Sequence, residues 1–163
     1  MTPNQKILSG GIVILLCAAL IGGTYRYSSL KSAAEENFKS GVIDTLKVHA
    51  PALRDALLKD NKAVTPGEME ILASLARDER MASICYLDRR GTVRWHKEAR
   101  FVGMAWNDLN KQQPRTDAMA QAYIAKVPRI RMVEDGPLYE IAIPFLVKGK
   151  IIGAIDVLVV RPA

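Results

Sequence analysis

The stretch YEIAIPFLVKGKIIGAIDVLVV, residues 139–160, decides the fold. Two apolar runs flank a turn at Lys148 and Gly149, and this pattern predicts a buried β-hairpin. Asp156 interrupts the second run. Because side chains alternate along a strand, Asp156 shares one face with four apolar residues. These are Ile152, Ala154, Leu158 and Val160. A buried carboxylate is costly unless it is paired, so Asp156 needs a cation, hydrogen-bond donors or water.

The segments before this hairpin alternate between strand and helix patterns. Three further strands are predicted at residues 82–87, 92–96 and 129–135, and three helices at residues 29–60, 65–80 and 116–127. Thr65, Pro66 and Glu68 form a capping-box start for the second helix. Residues 98–114 are predicted to be irregular. Five short strands with tight turns predict an α+β domain, with one antiparallel sheet covered by helices.

The N-terminal segment has the character of a membrane anchor. No charged residue occurs between Lys6 and Arg26, and a helix of ~20 apolar residues spans the ~30 Å hydrocarbon core. A poor cleavage site after this run, and Leu16 before Cys17, predict that the anchor is not cleaved. We therefore predict a transmembrane anchor over residues 1–26 and a stalk helix plus a single domain over residues 27–163.

The stalk helix carries an apolar stripe that is either part of the domain core or the seam of a homodimer. Pro51 predicts a kink or a restart within it. By the positive-inside rule, the positive charges that flank the segment favour a cytoplasmic C-terminal domain, although this rule counts for less when a whole domain follows.

Composition and motifs exclude several classes of function. The net charge is +6, but the sequence lacks the dense basic run with interleaved aromatic residues that would indicate nucleic-acid binding. Cys17 and Cys85 lie in a membrane segment and a strand, so they cannot pair. With two histidines and no spaced ligand group, we predict neither a metal site nor another cofactor. The sequence lacks the common hydrolase, metalloprotease and phosphate-loop motifs, so we predict that the protein is not an enzyme.

Two quoted stretches carry a family resemblance. YLDRRGTVRWHKEARFVGMAWNDL, residues 86–109, resembles the first hairpin and following loop of Cache domains, the PAS-like (PDC-type) extracytoplasmic sensors. YEIAIPFLVKGKIIGAIDV, residues 139–157, is similar to their closing hairpin, with its turn glycines and its aspartate. The resemblance implies a small-molecule pocket between the sheet and the middle loop and helix. It also implies a periplasmic domain on a single-pass inner-membrane anchor, which opposes the leaning of the flanking charges.

The candidate ligand-binding residues follow from this pocket. Asp156 matches the position that contacts ligand in many Cache domains, where it would hold an amine or a hydroxyl. The alternative is a structural ion pair of Asp156 with Arg94, Arg129 or Arg131. Trp106 and Tyr139 would form walls, and Arg94 or Arg131 would meet any carboxylate. Alternation places Val93 and Trp95 on one face of their strand, and Arg94 and His96 on the other.

These predictions lead to a sensor-like module that binds a small molecule. Because the sequence ends three residues after Val160, we expect the module to act through a partner membrane protein. One alternative is a non-catalytic assembly subunit of a larger membrane complex that reuses the sensor fold. A further alternative is that the chain is a fragment of a longer receptor.

Overall fold

The structure is a computed structural model that describes residues 3–59, 63–113, 115–134 and 136–161, with the backbone alone for residues 3–25. The first helix, α1, covers Pro3–Leu58 and continues through Pro51, so no restart occurs there. The predicted anchor, residues 1–26, lies almost wholly outside the residues whose side chains are described. Within the described residues, no helix combines the length and the apolar character that a membrane crossing requires.

The chain divides into two compact units, Met1–Val42 and Ile43–Ala163. The first unit is helical throughout its described part. The second unit contains the end of α1 and all the following elements. These are the helices α2 (Pro66–Ala76), α3 (Trp106–Gln112) and α4 (Ala118–Ala125), and the strands β1 (Met81–Asp88), β2 (Val93–His96), β3 (Arg129–Met132), β4 (Leu138–Val147) and β5 (Lys150–Val160).

The helices after α1 agree only in part with the sequence predictions. Helix α2 begins with the predicted capping box, in which Thr65 and Glu68 each bind the other's backbone N–H. Helix α4 begins at Ala118, two residues after the predicted start at Thr116, whose hydroxyl accepts a hydrogen bond from the Ala118 N–H. The prediction that residues 98–114 are irregular is wrong for α3, a seven-residue helix. Two helical turns are too few to show a clear apolar period.

The five strands form one antiparallel sheet in the order β2-β1-β5-β4-β3. This confirms the predicted α+β class and the predicted hairpin of β4 and β5 at the centre of the sheet. Lys148 and Gly149 both have positive φ, 49° and 73°, in the turn between these two strands. Glycine accepts that conformation without steric cost, which explains the glycine in the quoted stretch.

The two faces of the sheet, front and rear, differ in their central residues. The front face carries Cys85, Ala142 and Asp156, which are directly opposite one another on β1, β4 and β5. The rear face carries Tyr86 and Ile155, the next pair along. Front-face side chains pack with buried residues of α3 and α4 in one apolar cluster. Its members include Leu87, Val93, Phe101, Leu109, Ala118, Met119, Ala122 and Ala154.

Strand β2 contains a bulge that changes the direction of its side chains. Tyr86 is opposite Trp95, but the next residue, Leu87, is opposite Val93, so Arg94 is the extra residue. A bulge places two residues against one and breaks the alternation of faces. Val93 therefore faces the front and Trp95 the rear, and the prediction that these two share a face is wrong. A bulge of this kind cannot be recognised from the alternation of apolar and polar residues in a four-residue strand.

Candidate functional site

Asp156 is fully buried at the centre of the front face. Its Oδ2 atom accepts a hydrogen bond from Trp106 Nε1 at 3.1 Å and a short charged one from Arg115 Nη1. The side chains of both Asp156 and Arg115 have no exposed surface. The carboxylate therefore does pair with an arginine, but with one that was not among the three candidates drawn from the sequence.

Arg115 connects the buried carboxylate to β1 and to the end of α3. Its Nη2 atom donates to Ser83 Oγ at 3.2 Å and to Gln113 Oε1 at 3.0 Å. Arg115 lies in the segment between α3 and α4, where no periodic pattern marks a residue as buried. This guanidinium holds the inter-helix segment against the sheet, because it bonds to both.

Ser83 and His96 make a buried hydroxyl–imidazole contact of 3.0 Å. His96 Nδ1 accepts a hydrogen bond from the Glu98 backbone N–H at 2.9 Å, which assigns the ring proton to Nε2. The ring therefore donates to Ser83 and cannot take its proton, as a nucleophile's general base would. Burial, and then the charge of Arg115, lower the pKa of His96 and keep it neutral. The pair is a structural bridge.

Glu140 is a second fully buried carboxylate on the front face, next to Asp156 on the neighbouring strand. Its Oε2 atom accepts hydrogen bonds from the Thr116 N–H and from the Thr116 hydroxyl. Burial, and then the negative charge of Asp156, raise the pKa of Glu140 to about 7. The front face thus contains two carboxylates and one buried guanidinium, and one of the carboxylates holds a proton into the neutral range.

A cavity of about 300 Å³ lies between the β1–β2 turn and helices α3 and α4. Trp106 lines this cavity, and its indole N–H reaches Asp156 on the far side. Tyr123 also lines it. Burial, and then the charge of Asp88, raise the pKa of Tyr123 to about 12. The remaining lining residues are Leu87, Arg89, Arg90, Gly91, Ala105, Asn107, Met119 and Ala120.

Several buried polar atoms near this region have no hydrogen-bond partner among the described residues. Four of them are Asp156 Oδ1, Arg115 Nε, Glu140 Oε1 and the Tyr123 hydroxyl, and Asn110 Oδ1 on α3 is another. Most buried polar groups in proteins do have partners. All four atoms belong to residues on the front face of the sheet or on the segments that cover it, so the front face has capacity to bind further polar groups.

Among the sequence-predicted ligand-binding residues, the structure brings Asp156 and Trp106 together. Tyr139 lies opposite Val159. Because side chains alternate along β5, Val159 and Asp156 are on different faces, and Tyr139 faces the rear. Arg94 also faces the rear, where its Nη2 atom donates to Ala63 O at 2.9 Å. Arg131 is opposite Glu140 at the sheet edge, but its guanidinium is half-exposed and donates to Gln121 at 2.8 Å.

The rear face has its own buried polar cluster, and it is more fully bonded. The Tyr86 hydroxyl lies 2.7 Å from Glu68 Oε1 and 2.9 Å from Leu53 O. The Thr65 N–H donates to Glu68 Oε2 at 2.6 Å, and Arg94 lies 3.8 Å from the same carboxylate. Burial raises the pKa of Glu68, but these hydrogen bonds and the charge of Arg94 outweigh it, so its pKa is lowered overall.

Sequence reasoning missed Arg115, Tyr123 and Glu140 as site residues. Glu140 carried a usable signal, because it interrupts the apolar run of β4 just as Asp156 interrupts that of β5. Tyr123 and Arg115 did not, since their positions depend on how the inter-helix segment folds. No group of three His, Cys, Asp or Glu side chains is arranged to hold a metal ion in the described ranges.

No protein-family model and no curated protein sequence matches the chain. Among solved structures, an extracellular ligand binding receptor from Desulfohalobium retbaense is similar at 15% identity and a TM-score of 0.43, covering 74% of this chain and 23% of that one. The sensor domain of the V. cholerae histidine kinase DctB is similar at 19% identity and a TM-score of 0.42.

That second similarity covers 82% of this chain and 57% of the sensor domain. The chain therefore spans less than two thirds of each of these proteins.

Proposed function

We propose that this protein is a sensor-like module of the Cache/PAS type that binds a small molecule and acts through a partner membrane protein. The observation that supports it best is Trp106, which lines the cavity with its ring and bonds to the buried Asp156 with its N–H. A ligand that moves this indole also changes the bonding of the buried ion pair, so the cavity and the sheet are mechanically connected.

The polar atoms of the front face define what such a ligand would meet. Asp156 Oδ1 is buried and unpaired within the described chain, and it suits an ammonium or hydroxyl group. Arg115 is the structural ion-pair partner of Asp156, the position that the sequence analysis offered to Arg94, Arg129 or Arg131. In this proposal Trp106 forms the wall of the site, and Tyr123 replaces Tyr139 as the second aromatic residue.

The proposal includes a membrane anchor at the N-terminus and a domain on the periplasmic side of the inner membrane. Its support is the uncharged run between Lys6 and Arg26, together with the resemblance of the two hairpins. A homodimer through the stalk helix is part of the same proposal. Large apolar side chains of α1 in the described part are exposed, and they suit a helix partner. They are Tyr27, Leu30 and Val48.

Ligand binding is tested with the full chain in detergent by thermal shift. The panel contains amino acids, primary amines and short carboxylates. We expect at least one class to raise the melting temperature, since a ligand that binds the folded state stabilises it. Asp156→Asn should abolish that increment, whereas Asp108→Asn on the exposed side of α3 should preserve it. A panel without any stabilising compound would overturn the proposal.

The alternative of an assembly subunit has its own structural support. The segment from the end of α4 into the edge strand β3 exposes several apolar side chains, a feature of protein–protein contacts. They are Ile124, Val127 and Met132. Affinity purification in mild detergent discriminates the two functions. A stoichiometric enzyme complex that co-purifies with or without ligand supports the assembly role, and loss of the complex on substitution of Ile124→Asp places the contact.

A further inference from the structure

Two arginine side chains place positive charge on the rim of the cavity. Arg89 and Arg90 line it, and both are exposed. Their guanidinium groups have no hydrogen-bond or ion-pair partner within the described part of the chain. No aspartate or glutamate occurs among the lining residues. A cavity of this composition attracts an anion, because field lines from two cations converge on a site walled by material of low dielectric constant.

The turn that carries these two arginines is held by a dense set of backbone contacts. Asp88 Oδ1 accepts hydrogen bonds from the Arg90 N–H at 2.8 Å and from the Thr92 N–H at 2.9 Å. Gly91 takes a φ of 74°, which its missing side chain permits. Its carbonyl oxygen accepts a hydrogen bond from the backbone N–H of Trp106 at 2.8 Å. The backbone of the turn is therefore held beside Trp106, and Asp88 Oδ1 is occupied by the turn itself.

The interior of the cavity differs from its rim. Trp106, Leu87, Met119 and the ring of Tyr123 provide apolar surface. The Tyr123 hydroxyl is a buried donor with no described partner. A ligand pocket with mostly apolar walls and a few placed polar groups selects a molecule with an apolar body and a polar end. Here the polar side chains are two arginines, the Tyr123 hydroxyl and the Asn107 amide, with no anion among them, so the matching polar end is an acceptor with negative charge.

We propose that the cavity selects a small organic anion, whose carboxylate or phosphate meets Arg89 and Arg90 and whose apolar body packs against Trp106. This inference rests on the proposed function and deepens it by naming the ligand class. Guanidinium groups bind carboxylate and phosphate oxygens with two parallel hydrogen bonds, which gives direction as well as charge attraction. The Tyr123 hydroxyl donates to the ligand from within the cavity.

The experiment compares probes that share a skeleton and differ in charge. Phenylacetate, phenyl phosphate, phenylacetamide and phenethylamine are titrated into the full chain in detergent by calorimetry, beside the isovalerate, isovaleramide and isoamylamine set. We expect an anion to bind about tenfold or more tightly than its amide, which corresponds to one charged hydrogen-bonded contact. Binding of the anion should weaken with added salt. The carboxylate and phosphate arms decide which oxyanion is preferred.

Variants test whether the two arginines carry the preference. Arg89→Gln with Arg90→Gln should lower anion affinity about tenfold or more and leave amide binding unchanged. Arg89→Lys with Arg90→Lys should recover part of the loss, because the charge is kept without the bidentate geometry. Arg77→Gln with Lys150→Gln removes the same charge from exposed residues that do not line the cavity, and it should have little effect.

The outcomes separate this inference from the proposed function. An amide or amine that binds as tightly as the best anion, with no effect of the arginine variants, overturns the anion preference and leaves small-molecule binding intact. Failure of every probe here and of every compound in the thermal-shift panel overturns both. Tyr123→Phe provides an internal measurement, since loss of the hydroxyl should weaken anion binding by a smaller factor than loss of both arginines.

Discussion

Glu68 and Glu140 are both buried glutamates, on opposite sides of one sheet, and their environments shift their pKa values in opposite directions. Glu68 accepts hydrogen bonds from Thr65 and Tyr86 and lies near Arg94, so its pKa is lowered. Burial, and then the negative charge of the neighbouring Asp156, raise the pKa of Glu140 to about 7. The difference shows that burial alone does not determine the charge of a carboxylate. The number and sign of its partners decide whether the effect of burial is outweighed.

The same contrast extends to the two faces as a whole. The polar groups of the rear face largely bond to one another and connect α1, α2 and β1. Arg94 Nε is the exception there among the described atoms. The front face instead retains unpaired atoms on Asp156, Arg115, Glu140 and Tyr123. A structure built only for stability would resemble the rear face, so the front face is where ligand binding is to be sought.

Among these predictions, substitution of Asp156 should cause the largest loss of unfolding free energy. Asp156→Ala leaves Arg115 as an unpaired buried charge, which costs ~3–5 kcal/mol of unfolding free energy. Chemical denaturation of the full chain in detergent measures it. Asp55→Ala, at an exposed pair on α1, should cost under ~1 kcal/mol. Asp156→Ala with Arg115→Met should recover most of the loss. A loss in the single variant as small as in the control would show that Arg115 reaches water.

The pH dependence of stability should have opposite sign for the two glutamates. Folded Glu140 retains its proton from its ordinary pKa of 4.5 up to about 7, while the unfolded chain has released it. Stability from this group therefore falls as pH rises across that window, by at most ~1.4 kcal/mol per pH unit. Glu68 contributes stability above pH 4.5, and this contribution is lost as pH falls through its lowered folded pKa.

Two substitutions separate these slopes. Glu140→Gln should remove the decline between pH 4.5 and 7, and Glu68→Gln should remove the loss at lower pH. Denaturation midpoints measured in steps across pH 3 to 8 provide the test. A Glu140→Gln variant that keeps the neutral-range decline would contradict its assignment to Glu140.

Tyr86 tests whether the rear face depends on its polar bonds. Tyr86→Phe removes the hydroxyl that lies between Glu68 and Leu53, and the carboxylate loses one of its buried donors. We expect a loss of ~1.5–3 kcal/mol, the usual worth of a hydrogen bond to a charged group. Tyr27→Phe, at an exposed tyrosine of α1, is the matched control and should not change the denaturation midpoint. Equal midpoints for the two variants would contradict the prediction.

Gly153 should give the smallest of these effects. A Cβ atom at this position would overlap Leu57 Cδ1 of α1 and lie 2.5 Å from the Leu87 carbonyl oxygen. The leucine can change rotamer, but the carbonyl belongs to the paired strand β1 and cannot. Gly153→Ala should therefore cost ~1–3 kcal/mol by overpacking. Gly67→Ala, where no atom lies within 4 Å of the new Cβ, is the control in the same denaturation series.

Most of the fold could be predicted from the sequence, and part of the site could. Apolar runs and turn glycines gave the five strands, and the break in the β5 run gave the burial of Asp156. The bulge at Arg94 could not be predicted, because a four-residue strand is too short for its residue pattern to reveal one extra residue. Tyr139 shows the same limit across a hairpin, since a register shift between Phe145 and Leu146 and the turn together decide which residues share a face. The partner of Asp156 lies in a segment without periodicity.

The bulge in β2 has a practical consequence. With this register Trp95 faces the rear, while Trp106 lines the cavity on the front. The chain has two tryptophans, so each side of the sheet contains its own intrinsic fluorophore. With Trp95→Phe the emission reports occupancy of the cavity, and with Trp106→Phe it reports the opposite layer, without any attached dye.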